Sequence, residues 1–276
     1  MKFVKSAVIA IFVLAVGIFG TAKVLAYTER DPSPPEITSD REILEIPCSY
    51  TQEQLVEGLT AHDDTDGDLT SQILTGSFSR FIEKGVCNVT YVVFDSANQP
   101  ASLTRQVRFT DYYSPRFTLT APLIFSEGEG SYDEAMSRIG ATDLLDGDRK
   151  DWVTQTDTDV NYQRAGTYHI TVSVDNSYGD LSEVSLPVHV TSGSLNNGLR
   201  IELSTSLAYL RVGEEFQPAQ WISGVYDGQG NMVDPGIATA DAQVDVQTPG
   251  TYEISYQAAD EAGNTAQTWL TVIVQE

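Results

Sequence analysis

Basic residues are scarce in this 276-residue chain: 16 Lys and Arg stand against 39 Asp and Glu, for a formal net charge of -23. Three of the lysines fall within the first 26 residues, which hold no acid, so the remainder is more acidic still. That balance excludes nucleic acid and anionic lipid surfaces as partners, because both are held by positive charge. Histidine and cysteine are also few, at three and two. His62, His169 and His189 are dispersed, no His/Cys spacing suits zinc, and no serine sits in a nucleophile-elbow sequence. Carboxylate pairs are too common here to single out a glycosidase pair. No catalytic residue is assigned, and the chain reads as a non-enzyme. It also lacks a Leu-Pro-x-Thr-Gly sorting signal, an apolar C-terminal tail, and a cysteine after its N-terminal apolar run.

What is present begins with that run. Lys2 and Lys5 precede an almost unbroken apolar stretch from Ala7 to Ala22, and Lys23-Val24-Leu25-Ala26 offers small residues for cleavage after Ala26. The stretch is about 16 residues, short of the roughly 20 a spanning helix needs. Residues 1–26 therefore read as a signal peptide or an N-terminal membrane anchor. Either exports the rest, to the cell surface if anchored or into the medium if cleaved after Ala26. Membrane contact is expected only through this segment. Residues 27–35, polar and Pro-rich, read as a stiff linker.

The rest repeats itself. Lys84-Gly85-Val86-Cys87-Asn88-Val89-Thr90-Tyr91 is answered by Ala165-Gly166-Thr167-Tyr168-His169-Ile170-Thr171-Val172 and by Pro249-Gly250-Thr251-Tyr252-Glu253-Ile254-Ser255-Tyr256, at offsets of 81 and 84 residues. A fixed period near 80 means tandem copies of one unit. Tyr168, Ile170, Val172 and Val174 alternate with polar residues, as do Tyr252, Ile254, Tyr256 and Ala258, which is the pattern of a half-buried strand. Short strands, frequent turn signals and about 80 residues per unit describe sandwiches of roughly seven strands. The expected fold is all-β: three tandem immunoglobulin-like β-sandwiches, at 36–111, 115–191 and 198–276, after an N-terminal hydrophobic helix. Ser131–Arg138 is expected to form a helical turn.

The pattern Ala-x-Asp-x-x-Asp-Gly-Asp, followed by Gly-Thr-Tyr-x-Ile-x-Tyr-x-Ala-x-Asp-x-Ala-Gly-Asn, resembles the bacterial Ig-like domain first described in a pesticidal crystal protein. Ala61, Asp63, Asp66, Gly67 and Asp68 carry it in the first unit, and Ala141, Asp143, Asp146, Gly147 and Asp148 in the second. The third unit keeps the second half best and substitutes Val225-Tyr226-Asp227-Gly228-Gln229-Gly230-Asn231 for the first. The resemblance implies an Ig-like sandwich in a surface or secreted protein and no single activity.

Three sets of residues invite chemistry. Cys48 and Cys87 both lie in the first unit, and an even cysteine count in an exported chain reads as a disulfide. Cys87 takes the inward position of Tyr168 and Tyr252, so the bridge would cross the core and contribute about 4 kcal/mol by loop closure. Two buried thiols, or a reactive pair, are the alternatives. The acidic loops around Asp63, Asp66 and Asp68, and around Asp143, Asp146 and Asp148, have the alternating carboxylates and turn glycine that Ca²⁺ uses. In an Ig-like sandwich the loops after the second and sixth strands share one end. That arrangement would bring Asp95 to Asp66, and Asp175 to Asp143 and Asp146, with Asp111 at the junction. The same residues equally suit plain Asp-Gly turns, and the spacing is not that of an EF-hand. No other cofactor is expected. Among the aromatics, Trp269 is expected in the core, while Trp221 and Tyr226 are candidates to meet a sugar or protein, with core packing as the alternative.

Together these features describe a monomeric, non-enzymatic surface or secreted protein. It would be a repeat rod of about 100 Å serving as stalk or adhesion module. Its partner would be a cell-surface protein or glycan; the alternative is a ligand-binding module for a glycan or an envelope-protein partner, with the third unit as the binding tip.

Overall fold

A computed structural model describes residues 11–23 and 33–276. The basic start, the cleavage position after Ala26 and residues 27–32 of the linker lie outside the described residues. Residues 11–23 are helical. Among the described residues no helix is long and apolar enough to cross a membrane. The chain forms two compact units, Met1–Thr110 and Asp111–Glu276. The first holds one β-sandwich and the second holds two.

Each sandwich sets a three-stranded sheet against a four-stranded one. In the first, Glu36–Ser39, Leu59–Asp63 and Gly67–Asp68 form the small sheet. Its large sheet runs Ile43–Ile46, Pro100–Phe109, Val86–Phe94, Leu74–Phe78. In the second sandwich the small sheet is Arg116–Leu119, Ile139–Asp143 and Gly147–Asp148, and the large one is Ile124–Ser126, Leu181–Thr191, Gly166–Asp175 and Thr154–Thr158. In the third they are Leu199–Leu203, Ile222–Asp227 and Met232–Val233, then Leu207–Arg211, Thr265–Gln275, Gly250–Ala259 and Ala238–Ala242. The repeated phrase forms the central hairpin strand each time. Cys87, Tyr168 and Tyr252 face Val107, Val188 and Val272 in identical register.

Alternation places the core. Cys87, Val89, Tyr91 and Val93 are buried, as are Ile170, Val172 and Val174, and Ile254, Tyr256 and Ala258. One feature of the pattern is not periodic. The first edge of each sandwich changes sheets part-way, so that Ile43–Ile46, Ile124–Ser126 and Leu207–Arg211 pair in parallel with the last strand. This covers an edge that would otherwise expose unpaired backbone.

A short helical turn crosses between sheets in each sandwich. Gln52–Leu55 starts at Thr51, whose backbone N–H donates to the Gln54 Oε1 at 2.8 Å. Tyr132–Arg138 forms where a turn is expected, with the Ser131 hydroxyl accepting from the Glu134 N–H at 3.2 Å. In the third sandwich the crossing is the 3-10 turn Pro218–Trp221. Buried tyrosines tie two of these turns to the core: the Tyr91 hydroxyl donates to the Leu55 carbonyl at 2.7 Å, and that of Tyr256 to the Pro218 carbonyl at 2.9 Å.

Candidate functional site

The acidic loops are turns locked by their own carboxylates. Asp63 Oδ1 accepts from the Thr65 and Asp66 N–H groups at 2.8 and 2.9 Å, and Asp143 Oδ1 from those of Leu145 and Asp146 at 2.9 Å each. Gly67 and Gly147 follow at φ +75° and +73°, a left-handed backbone that glycine adopts without a Cβ clash. Asp68 and Asp148 accept from the Thr70 and Lys150 N–H groups at 2.9 Å, opening the next 3-10 turn. The loop after the sixth strand does reach these turns, but through serines. Asp66 accepts from the Ser96 N–H at 2.6 Å, and Asp146 from the Ser177 N–H at 2.6 Å and its hydroxyl at 2.8 Å. Asp95 instead closes its own hairpin, accepting from the Gln99 backbone N–H at 2.6 Å and its side-chain amide at 2.9 Å.

In the second sandwich a protein cation occupies the middle of this cluster. Arg149, buried, donates through Nε and Nη2 to the Asp175 carbonyl at 3.0 and 2.6 Å and lies 3.6 Å from Asp146 Oδ2. Its guanidinium sits 4.2 Å over the exposed Trp152 ring. The Asp175 carboxylate, 60% exposed, reaches the same arginine at 3.7 Å. Asp111 is exposed; beside it the Tyr112 hydroxyl donates to Asp180 at 2.7 Å and accepts from Asn176 at 2.8 Å. Asn176 also donates to Asp143 at 3.1 Å. Burial first, and then Asp180, push the ionisation of Tyr112 well above the usual phenol range. Asp63 and Asp143 thus serve as Asx-turn acceptors, and Asp146 also lies beside Arg149. Among the described residues no three His, Cys, Asp or Glu side chains form a set able to hold a metal.

The second and third sandwiches meet through a packed joint. His189 stacks on Trp269 with ring centroids 4.2 Å apart and planes at 18°. Its Nε2 donates to Glu253 at 2.8 Å, and Nδ1 lies 3.2 Å from the Thr167 hydroxyl. The Phe117 N–H donates to the Tyr209 hydroxyl at 2.7 Å, and Leu207 of the third sandwich is buried in the core of the second. Burial raises the Tyr209 phenol to about 12. Trp269, expected in the core, is therefore a joint residue, because position 269 points outward from Thr265–Gln275 toward His189. Thr167, His189 and Glu253 stand in the order of nucleophile, base and carboxylate, but they belong to two sandwiches and the imidazole face is covered by Trp269. Locking the joint accounts for all three. His62 and His169 are exposed on strand faces.

Residues 204–274, most of the third sandwich, match the family described as "Bacterial surface protein, Ig-like domain". The third sandwich is thus similar to bacterial surface Ig-like domains. The pesticidal crystal protein Cry22Aa of Bacillus thuringiensis is 28% identical over 132 residues, covering 47% of this chain and 17% of that protein. An "Uncharacterized 81.3 kDa protein" of Acholeplasma phage L2 is 27% identical over 149 residues, covering 52% of this chain and 20% of its own length. The chain thus spans a fifth or less of these relatives. Among solved structures, that of CBM51-2 in complex with GlcNAc and INT domains from Clostridium perfringens ZmpB is 17% identical, covers 55% of this chain and 26% of its own, and has a TM-score of 0.23.

Within the third sandwich, the divergent loop is a self-contained turn. Asp227 Oδ1 accepts from the Gln229 and Asn231 N–H groups at 2.9 and 2.8 Å, and Oδ2 from the Asn231 amide at 3.1 Å. The Asn231 hydrogen bonds hold this carboxyl below the usual range. Trp221, a candidate ligand contact, packs against the domain's core, stacked on Phe216 at 6.5 Å, with its indole Nε1 buried. Its place at the end of the crossing turn Pro218–Trp221 turns the ring toward that core. Tyr226 closes over Gly224, where a Cβ would come within 2.9 Å of the ring, and carries the Arg200 guanidinium at 4.9 Å.

In the first sandwich Cys87 is fully buried, and burial pushes its thiol up to about 12. Cys48 is half-buried in the turn after Ile43–Ile46, and no S–S bond joins the two. Both sulfurs neighbour the Tyr50 phenol, whose ionisation is raised by burial and then by Cys87 and Cys48. Once folded, Cys87 holds little of the thiolate that disulfide exchange requires.

Proposed function

We propose that this chain is a non-enzymatic, exported adhesion protein whose second and third sandwiches work as one stiff, displayed body. The observation that carries this reading is the joint: a stacked imidazole and indole, a charge-assisted hydrogen bond to Glu253 and a shared core at Leu207 leave little freedom between two modules. The match of the third sandwich to bacterial surface Ig-like domains supports display outside the cell. The N-terminal segment would deliver it there, retained as an anchor or cleaved after Ala26. Antibodies raised against the third sandwich are expected to label intact cells, or to recover from the medium a chain that begins at Tyr27. Labelling that requires lysis, with nothing in the medium, would sink the reading.

The Cys48–Cys87 bridge belongs to the same reading. It would form during export, before folding buries Cys87, when an exported thiol–disulfide oxidoreductase accepts the two electrons and both thiols lose their protons. Alkylation in denaturant without reductant is then expected to find no reactive thiol, and two after reduction. Two thiols in the unreduced protein would instead make Cys87 a small buried core residue.

A further inference from the structure

Beside the joint lies a cleft of about 610 Å³ lined by Arg116, Tyr209, Leu210, Arg211, Val212, Gly213 and Glu214. Other clefts also hold two arginines, Arg41 with Arg105 and Arg138 with Arg200, but in each of those at least one is ion-paired. In a chain with 39 acids and 16 bases, two arginines share this cleft, and neither is ion-paired among the described residues. Arg116 is also fixed in place. Its guanidinium lies 3.8 Å from the Tyr113 ring and 4.8 Å from that of Tyr209, and its Nε is buried without a hydrogen bond. With two rings against the guanidinium and Nε buried, the two Nη groups are the donors left for a ligand. A planar fork of donors matches a carboxylate. The one acid in the cleft is already engaged, since Glu214 accepts from the Arg211 backbone N–H at 2.9 Å. Its remaining lone pairs can accept from a hydroxyl. Val212, 39% exposed, adds an apolar wall.

We infer that this cleft binds a sugar acid, with the carboxylate of a uronate held by Arg116 and Arg211, a ring hydroxyl donating to Glu214 and the sugar's C–H face on Val212. Charge calls for an anion, and the mixture of forked donors, a carboxylate acceptor and a small apolar wall favours a uronate over an acidic peptide. The volume accommodates a short oligosaccharide. The inference rests on the reading of the chain as an exported adhesion protein, and it deepens that reading by giving a ligand class to the joint.

The purified full chain titrated with a glucuronate oligosaccharide in low salt tests it, beside the same sugar with its carboxyls reduced to alcohols. Saturable binding in the millimolar range or tighter is expected for the acid, and binding at least about tenfold weaker for the neutral sugar. Arg211→Gln, at the exposed end of Leu207–Arg211, is expected to weaken the acid about tenfold while leaving the melting temperature unchanged. Arg116→Gln should weaken it at least as much, but it also touches the joint, so Arg211→Gln decides. No saturation below about 10 mM overturns the site. So does equal binding of the neutral sugar, indifference to Arg211→Gln, or a Glu-rich peptide that binds as tightly as the uronate. A chain that labels intact cells yet fails these titrations would refute the cleft and leave surface display standing.

Discussion

Tyr256→Ala is expected to lower the stability of the third sandwich by about 4 kcal/mol, whereas Tyr256→Phe costs only about 1 kcal/mol. The ring is completely buried among Leu199, Val225, Ile254 and Leu270, so its removal leaves a cavity that the two sheets cannot close without losing their strand register. The hydroxyl is a separate and smaller contribution, a single bond to the Pro218 carbonyl that ties the crossing turn to the core. Trp221 and Trp269 are both in this sandwich, so urea unfolding followed by tryptophan fluorescence reports it against Trp152 alone in its neighbour. The first sandwich provides a control, because Tyr91 has the same burial and donates to the Leu55 carbonyl in the matching place. The second sandwich has Val172 at that position and dispenses with the bond. If the Phe variant proves as damaged as the Ala variant, the hydrogen bond rather than the ring volume organises the turn.

That pair of tyrosines also marks how far the sequence reaches. Period-two alternation by itself identifies Ile254, Tyr256 and Ala258 as inward residues, because a strand places every second side chain on the same face. The copy number follows from the 81- and 84-residue offsets for the same reason: each copy needs the same hairpin. Alternation does not show what happens where a strand ends. The change of sheet after Ser39 leaves no periodic trace, being set by the Asp40–Gly58 backbone bond at 2.9 Å and by pairing with a strand some 60 residues away. In the acidic loops residue type alone cannot separate a metal cage from Asx turns, and the Asx hydrogen bonds of Asp63 and Asp143 are the part that only the fold displays. Arg149, immediately after Asp148, is the legible warning, since a cation inside the second motif competes with any other. Trp269 departs from its expected place because an outward position on a strand is exposed in an isolated sandwich and covered only once a second sandwich docks. Arg116 carries no signal in the sequence at all, as its two rings come from separate sandwich segments.

Arg105 offers a test of a second kind of buried group. It is 3% exposed, and it donates to the Glu57 and Leu55 carbonyls at 2.8 and 2.7 Å and lies 5.2 Å from the Tyr91 ring. Those carbonyls end the first crossing turn, where no further helical N–H is available to them. Arg105→Met keeps the aliphatic volume and is expected to cost about 3 kcal/mol, because the part-buried Glu57 carbonyl then loses its Arg105 donor while the buried Leu55 carbonyl retains only Tyr91. For a sandwich of this size the transition of the first unit should fall by about 15 °C in calorimetry, with the second unit unmoved. Arg105→Lys should lose roughly half as much, since an ammonium can serve one carbonyl but lacks the fork that spans two. The competing physics is equally definite: burying a guanidinium costs solvation, and apolar replacements of buried charges sometimes stabilise a fold. A methionine variant at least as stable as the parent would show that desolvation outweighs the two carbonyl bonds here, and that the turn holds through Tyr91 alone.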